Sequence, residues 1–203
     1  MSKSVVLIQD GLDCFAEEFD NIDLSTQTIK NAEFEECTFT SCDFSEALFL
    51  SCRFIDCSFE NCNLSVMKLT DSIVSGTDFL SCKMIGIDWT MCDFKSLLSS
   101  EPIKFVNSLL SDSNLFGLSL ERIQMRECVA RDVDFGSGSF MSADFSATDF
   151  KGAQFGNTHL EYANFTDATN IQLDIKTNHL KGAIFSRYEA LFLLESMGIV
   201  LVD

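Results

Sequence analysis

This chain has little that would hold a polyanion. Of its 203 residues only 14 are Lys or Arg, against 31 Asp or Glu, for a formal charge of −17. Nucleic acid and anionic lipid both demand clustered cations, so neither is expected as a direct partner. A basic surface on another protein is the natural complement. There is a single proline and no Gly/Ser-rich stretch, so nothing marks a linker between domains. Long apolar runs are also missing. The start, MSKSVVLIQDGLDCF, holds four consecutive apolar residues, Val5 to Ile8, too few for a signal-peptide core or a membrane span.

Catalytic furniture is equally sparse. GSGSFM at Gly136 lacks the third glycine and the helix context of a dinucleotide loop, and no D-x-D-x-D-G calcium run occurs. The two histidines, His159 and His179, lie 20 residues apart and read as an exposed polar ladder rather than a metal pair. No nucleophile constellation accompanies them. The expectation is a protein without enzymatic activity, cofactor or metal.

Cysteine, by contrast, is abundant. Five fall in the segment CTFTSCDFSEALFLSCRFIDCSFENC, from Cys37 to Cys62, all at multiples of five. No C-x₂₋₄-C pair exists, which excludes the usual zinc spacing. Nine cysteines, an odd number, with no secretion signal point to reduced thiols and a cytoplasmic protein.

The spacing of five is not confined to cysteine. A large apolar residue returns every fifth position from Phe19 through Phe34, Phe39, Phe44, Phe49, Phe54 and Phe59 to Phe94. After a one-residue shift of phase it resumes at Phe105 and runs through Phe135, Phe140, Phe145, Phe150 and Phe165 to Phe185. Seventeen of the 20 Phe lie in this register, where chance would place about four. Two positions before each large residue sits a small one, and eight of the nine cysteines occupy that slot. Between the two lies a polar residue, often Asp or Asn. Small-in, polar-out, large-in is a three-residue strand. The remaining two residues must turn the chain. Such a strand cannot bury its face alone, so the units must wind and stack. The cysteines then become interior filler, since free Cys packs as a small hydrophobe.

Ala143-Asp144-Phe145-Ser146-Ala147 and Ala163-Asn164-Phe165-Thr166-Asp167 resemble the A(N/D)LXX units of pentapeptide-repeat proteins. The likeness runs from about Phe19 to Phe185. It implies an all-β fold, a right-handed quadrilateral parallel β-helix with four pentapeptides per coil. Roughly eight and a half coils at about 4.8 Å each give a rod about 40 Å long. The expected organisation is an N-terminal cap at 1–18, the solenoid at 19–185 with a register break at 95–104, and a capping helix and strand at 186–203. In the last segment Ser186 and Glu189 form an S-x-x-E capping box, Phe185 can staple against Ala190, and Gly198 is placed to stop the helix.

SCKMIGIDWTMCDF and LKGAIFSRYEALFLLESMGIVLVD are most similar to the Qnr group and to albicidin-resistance pentapeptide proteins. That resemblance implies a homodimer joined through the C-terminal ending, with Tyr188, Leu191, Leu194, Met197, Ile199 and Leu201 as candidate contacts. It also implies DNA gyrase or topoisomerase IV as partner, protected from quinolone- or albicidin-type inhibitors by DNA mimicry or by displacement of the drug. Two subunits end to end would spread −34 over roughly 80 Å, about two-thirds of the charge density of B-DNA. Candidate contacts lie near the middle of the rod: Asp88, Asp93, Leu97, Leu98, Glu101, Asp112, Asp132, Asp134, Asp144 and Asp149. The one-residue break, in place of the long loops of plasmid-type Qnr, points away from quinolones toward another inhibitor. The alternative is a scaffold or effector β-helix whose acidity only keeps it soluble.

Overall fold

The computed structural model describes residues 7–94 and 101–200. It is a parallel β-solenoid of about eight turns, and among the described residues the one α-helix lies near the C-terminal end. Each pentapeptide makes one side of a square coil. The large residue faces inward at the middle of a short strand, as in Thr38–Thr40, Leu48–Leu50 and Ser58–Glu60. Two residues later the backbone enters the left-handed region, as at Glu46 (φ 58°) and Asn61 (φ 54°). Ala47 N–H then donates to Phe44 C=O at 3.1 Å, closing a type II turn. Asn, Asp, Ser and Gly recur at these corners because a compact polar side chain, or none, tolerates positive φ best.

Coils stack in register at a step of 20 residues. Phe34 pairs with Phe54, Phe39 with Phe59 and Ile29 with Phe49, all parallel. The resulting columns of rings fill the core. Phe19, Phe39, Phe59 and Phe79 stack with centroids 4.6–5.1 Å apart and planes within 11°. Rings from adjoining sides meet edge to face, as Phe39 does with Phe44 at 5.7 Å and 77°. Offset-stacked and edge-to-face pairs each add about 0.5–1.5 kcal/mol to simple burial.

The small slot has a polar duty that the sequence did not announce. Its side chain donates to two backbone carbonyls, one two residues back and one in the preceding coil. Cys62 Sγ reaches Glu60 C=O at 3.4 Å and Phe39 C=O at 3.3 Å. Ser72 and Thr148 make the same pair of bonds with hydroxyls. All nine cysteines are free and buried. Burial pushes the Cys128 thiol up to about 12, so it carries no appreciable thiolate.

Three details differ from expectation. The phase break is six residues long, not one. Asp78 pairs with Lys104, Lys83 with Leu109 and Asp88 with Asn114, a step of 26 where every other coil takes 20. Six and one are the same phase in a period of five. The ladder also begins before residue 19, since Asp13–Phe15 already pairs with Glu33–Glu35, placing Cys14 opposite Phe34 in a large-residue slot.

At the C-terminus the helix spans Glu189–Ser196. The Ser186 hydroxyl does not cap it. Ser186 Oγ accepts from Asp167 N–H at 2.8 Å and donates to Asp167 Oδ1 at 3.0 Å, bonding to the corner of the preceding coil. The stop at Gly198 does form. Its φ is +78°, and Ile199 N–H returns to Leu194 C=O at 3.3 Å.

Candidate functional site

The outer surface is where a partner must be met, and the four sides of the coil distribute the acidic candidates. Asp88 and Asp134 lie on one side and Asp149 on the next, with Asp112 and Asp132 on the corner between these two. Asp144 and Asp93 fall on the two remaining sides. Leu97 and Leu98 lie outside the described residues, as does Leu201.

Asp88, Asp134, Asp144 and Asp149 do work within the fold. Asp88 Oδ1 accepts from Thr90 N–H at 3.1 Å, from the Thr90 hydroxyl at 2.7 Å and from Asn114 Nδ2 at 3.1 Å. Asp134 accepts from Gly136 N–H at 2.8 Å, and Asp144 from Ser146 N–H at 3.2 Å. Asp149 accepts from Lys151 N–H, Asn170 Nδ2 and Arg131 Nε, the last at 2.7 Å. Burial opposes ionisation of Asp149, but these donors outweigh it and hold the carboxyl below its ordinary range. Each aspartate accepts the N–H two residues ahead and so helps turn the chain.

Asp112 and Asp132 differ. Both occupy left-handed corners, φ 60° and 56°, are exposed, and stack one coil apart. Their side chains make no hydrogen bond or ion pair among the described residues. Asp93 and Glu101 line a cleft of about 480 Å³ together with Val74, Phe94, Pro102 and Arg122. It opens where the ladder on that side lapses between Asp93 and Ser119.

A denser acidic surface was missed. The strands Asp13–Phe15, Glu18–Asp20 and Glu33–Glu35 each bury only their central residue and expose both flanks. Asp13, Glu18, Asp20, Glu33 and Glu35 therefore project together from two adjoining sides near the N-terminal end. Arg53, at 4.0 Å from Glu33, is a cation among them. The signal was present in the triplets EFD and EFE, where both outward positions are acidic.

The terminal segment presents the complementary chemistry. Leu193 packs against the core, while Ile184, Tyr188, Leu191, Leu194, Met197, Ile199 and Val200 stay exposed, Tyr188 by 76% and Val200 by 84%. Among the described residues no helix is long and apolar enough to cross a membrane.

Square coils of pentapeptides with left-handed corners define a pentapeptide-repeat solenoid, and the chain belongs to that family. Two family descriptions match it, a pentapeptide repeat region over residues 32–115 and pentapeptide repeats in eight copies over residues 139–169. A quinolone resistance pentapeptide repeat protein of Scandinavium goeteborgense, QnrB96, is 29% identical over 110 residues, which are 54% of this chain and 51% of that protein. The chain thus spans about half the length of this curated relative. Two structures of trypsin-treated QnrB1, a plasmid-mediated fluoroquinolone resistance protein, share the fold at 22% identity. They cover 95–96% of this chain and 99% of theirs, with TM-scores of 0.64 and 0.63.

Proposed function

We propose that this protein binds DNA gyrase or topoisomerase IV and shields it from an inhibitor, acting by contact rather than by catalysis. The observation that carries the proposal is the net acidity of the rod. A charge of −17 over about 40 Å is one charge per roughly 2.4 Å, against about 1.7 Å for B-DNA. Such a rod suits a groove built for duplex. Likeness to a quinolone resistance protein supports the same partner.

Within the rod, Asp112 and Asp132 are the strongest of the mid-rod contacts, because their carboxylates are not spent on turns. Asp93 and Glu101 join them from the cleft, with Leu97 and Leu98 in the inserted segment. Asp13, Glu18, Glu33 and Glu35 extend the acidic surface toward the N-terminus. Two copies join through Tyr188, Leu191, Leu194, Met197, Ile199 and Leu201, which doubles the length of the rod. The protein acts in the cytoplasm, where its nine thiols remain reduced.

The turn-building role of Asp88, Asp134, Asp144 and Asp149 favours a second reading, a scaffold whose acidity serves folding and solubility. Competition separates the two. Fluorescent duplex bound to gyrase should be displaced by the purified protein, and displacement should weaken as salt rises. A scaffold leaves the duplex bound.

A further inference from the structure

We infer that His159, Glu161 and His179 form a binding site for a divalent transition ion of the zinc class. This rests on different residues from the proposed topoisomerase surface. His159 and His179 occupy the same outward slot on successive coils and pair directly in the parallel ladder. Their imidazoles stack face to face with centroids 4.2 Å apart and planes 3° from parallel, which holds both rings at one spot on the surface. Glu161 follows His159 by two residues, at the start of the turn that Ala163 N–H closes onto Leu160 C=O.

Its Oε1 lies 3.3 Å from His159 Nδ1. One donor atom from each of the three residues lies within 4.8 Å of the other two.

The carboxylate supplies a second, independent sign. Glu161 Oε2 is buried and has no hydrogen-bond partner. A buried carboxylate oxygen without a donor is costly, and a cation seated against the imidazoles satisfies it. The donor set fixes the class of ion. Two imidazoles and one carboxylate suit zinc, nickel and copper, whereas calcium and magnesium take oxygen ligands alone. Zinc bonds of about 2.0–2.1 Å set tetrahedral donors about 3.3 Å apart, so the donors must draw in by about 1.5 Å at most. His159 and His179 are exposed and can pivot. Solvent completes the shell, because among the described residues no fourth His, Cys, Asp or Glu joins the group.

The site has a mechanical consequence. At this side the last coils are held by single bridges, Ser139 to His159 and His159 to His179. An ion held by residues 159, 161 and 179 staples the final coil, next to the terminal helix, to the one before it. Zinc that binds the folded chain therefore raises the melting temperature, and the rise grows with the logarithm of free zinc once the site is filled.

The test titrates zinc chloride into the full chain by calorimetry and repeats the melt with and without zinc. One zinc per chain is expected, together with a zinc-dependent rise in melting temperature. His179→Gln should weaken binding by at least about tenfold, the scale on which even supporting groups of metal sites act. His159→Gln with His179→Gln should abolish both binding and the thermal shift, while the metal-free melts match the parent. Cobalt serves as a spectroscopic probe, and its bands should be free of thiolate charge transfer. No zinc uptake, uptake unchanged in the double variant, cobalt–thiolate bands, or one ion shared by two chains would each overturn the inference.

Discussion

Phe79 and Phe105 stack with centroids 5.1 Å apart and planes 12° from parallel, although 26 positions separate them. Phe59 and Phe79, one coil earlier, hold the same 5.1 Å across 20 positions. The interior column passes the insertion without a change of spacing. The step between these two coils gains six residues while the stacked column keeps its spacing.

Removing them should therefore be tolerated if the pentapeptide phase is kept. Excising residues 97–102 joins Phe94-Lys95-Ser96 to Ile103-Lys104-Phe105. This puts Ser at the corner, as at Ser41, Ser51 and Ser81, and Ile103 in the small slot where it already lies. The melting temperature should stay within about 4 °C of the parent, which corresponds to roughly 1 kcal/mol. Excising only 100–102 shifts the phase by three and turns outward residues inward. That variant should lose its cooperative melt by circular dichroism.

Val66 holds a corner at φ 58° and is 46% exposed. A β-branched residue in the left-handed region is strained by roughly 1–2 kcal/mol and buries little there in return. Val66→Asn should stabilise the protein by about 1 kcal/mol in urea unfolding at unchanged m-value. A loss of stability would show that packing of Val66 within the chain outweighs the strain at its corner.

The fold was legible where the period spoke. Inward and outward positions, the stacking of coils and the core role of Cys37 to Cys62 all follow from the recurrence of five. Length was not legible at the break, because a phase carries no count of whole repeats. Nor did the pattern distinguish carboxylates that turn the chain from those left for a partner. Asp134 and Asp132 are both acidic and two residues apart, yet one accepts Gly136 N–H and the other sits at a corner without such a bond. Ser186 was misassigned for a related reason. A capping motif is local, whereas the group that captured its hydroxyl, Asp167, lies 19 residues back.

The thiols should be silent. All nine are buried, and in eight of them the sulfur donates to backbone carbonyls, two residues and one coil back in seven and to Trp89 C=O in Cys92. A thiol-specific disulfide reagent should label none in the native protein and all nine in guanidinium. Cys62→Ser should cost little, since Ser72 and Ser108 already make the same bonds. Cys62→Ala loses them and should cost about 0.5–1.5 kcal/mol. Rapid native labelling would show that the coils open in solution.

The apolar terminal face predicts self-association. Leu194→Glu with Met197→Glu should convert a dimer to a monomer in light scattering, with the solenoid's melt unchanged, because both residues point away from the core. A dimer that survives this pair is built on another surface.

Gyrase supercoiling in the presence of ciprofloxacin or albicidin tests the central claim most directly. Titration with the purified protein should restore supercoiling that the inhibitor has suppressed, and Asp112→Asn with Asp132→Asn should require a higher concentration to do so. No rescue, no inhibition of gyrase alone and no binding at micromolar protein would contradict the account and leave the acidic rod a scaffold.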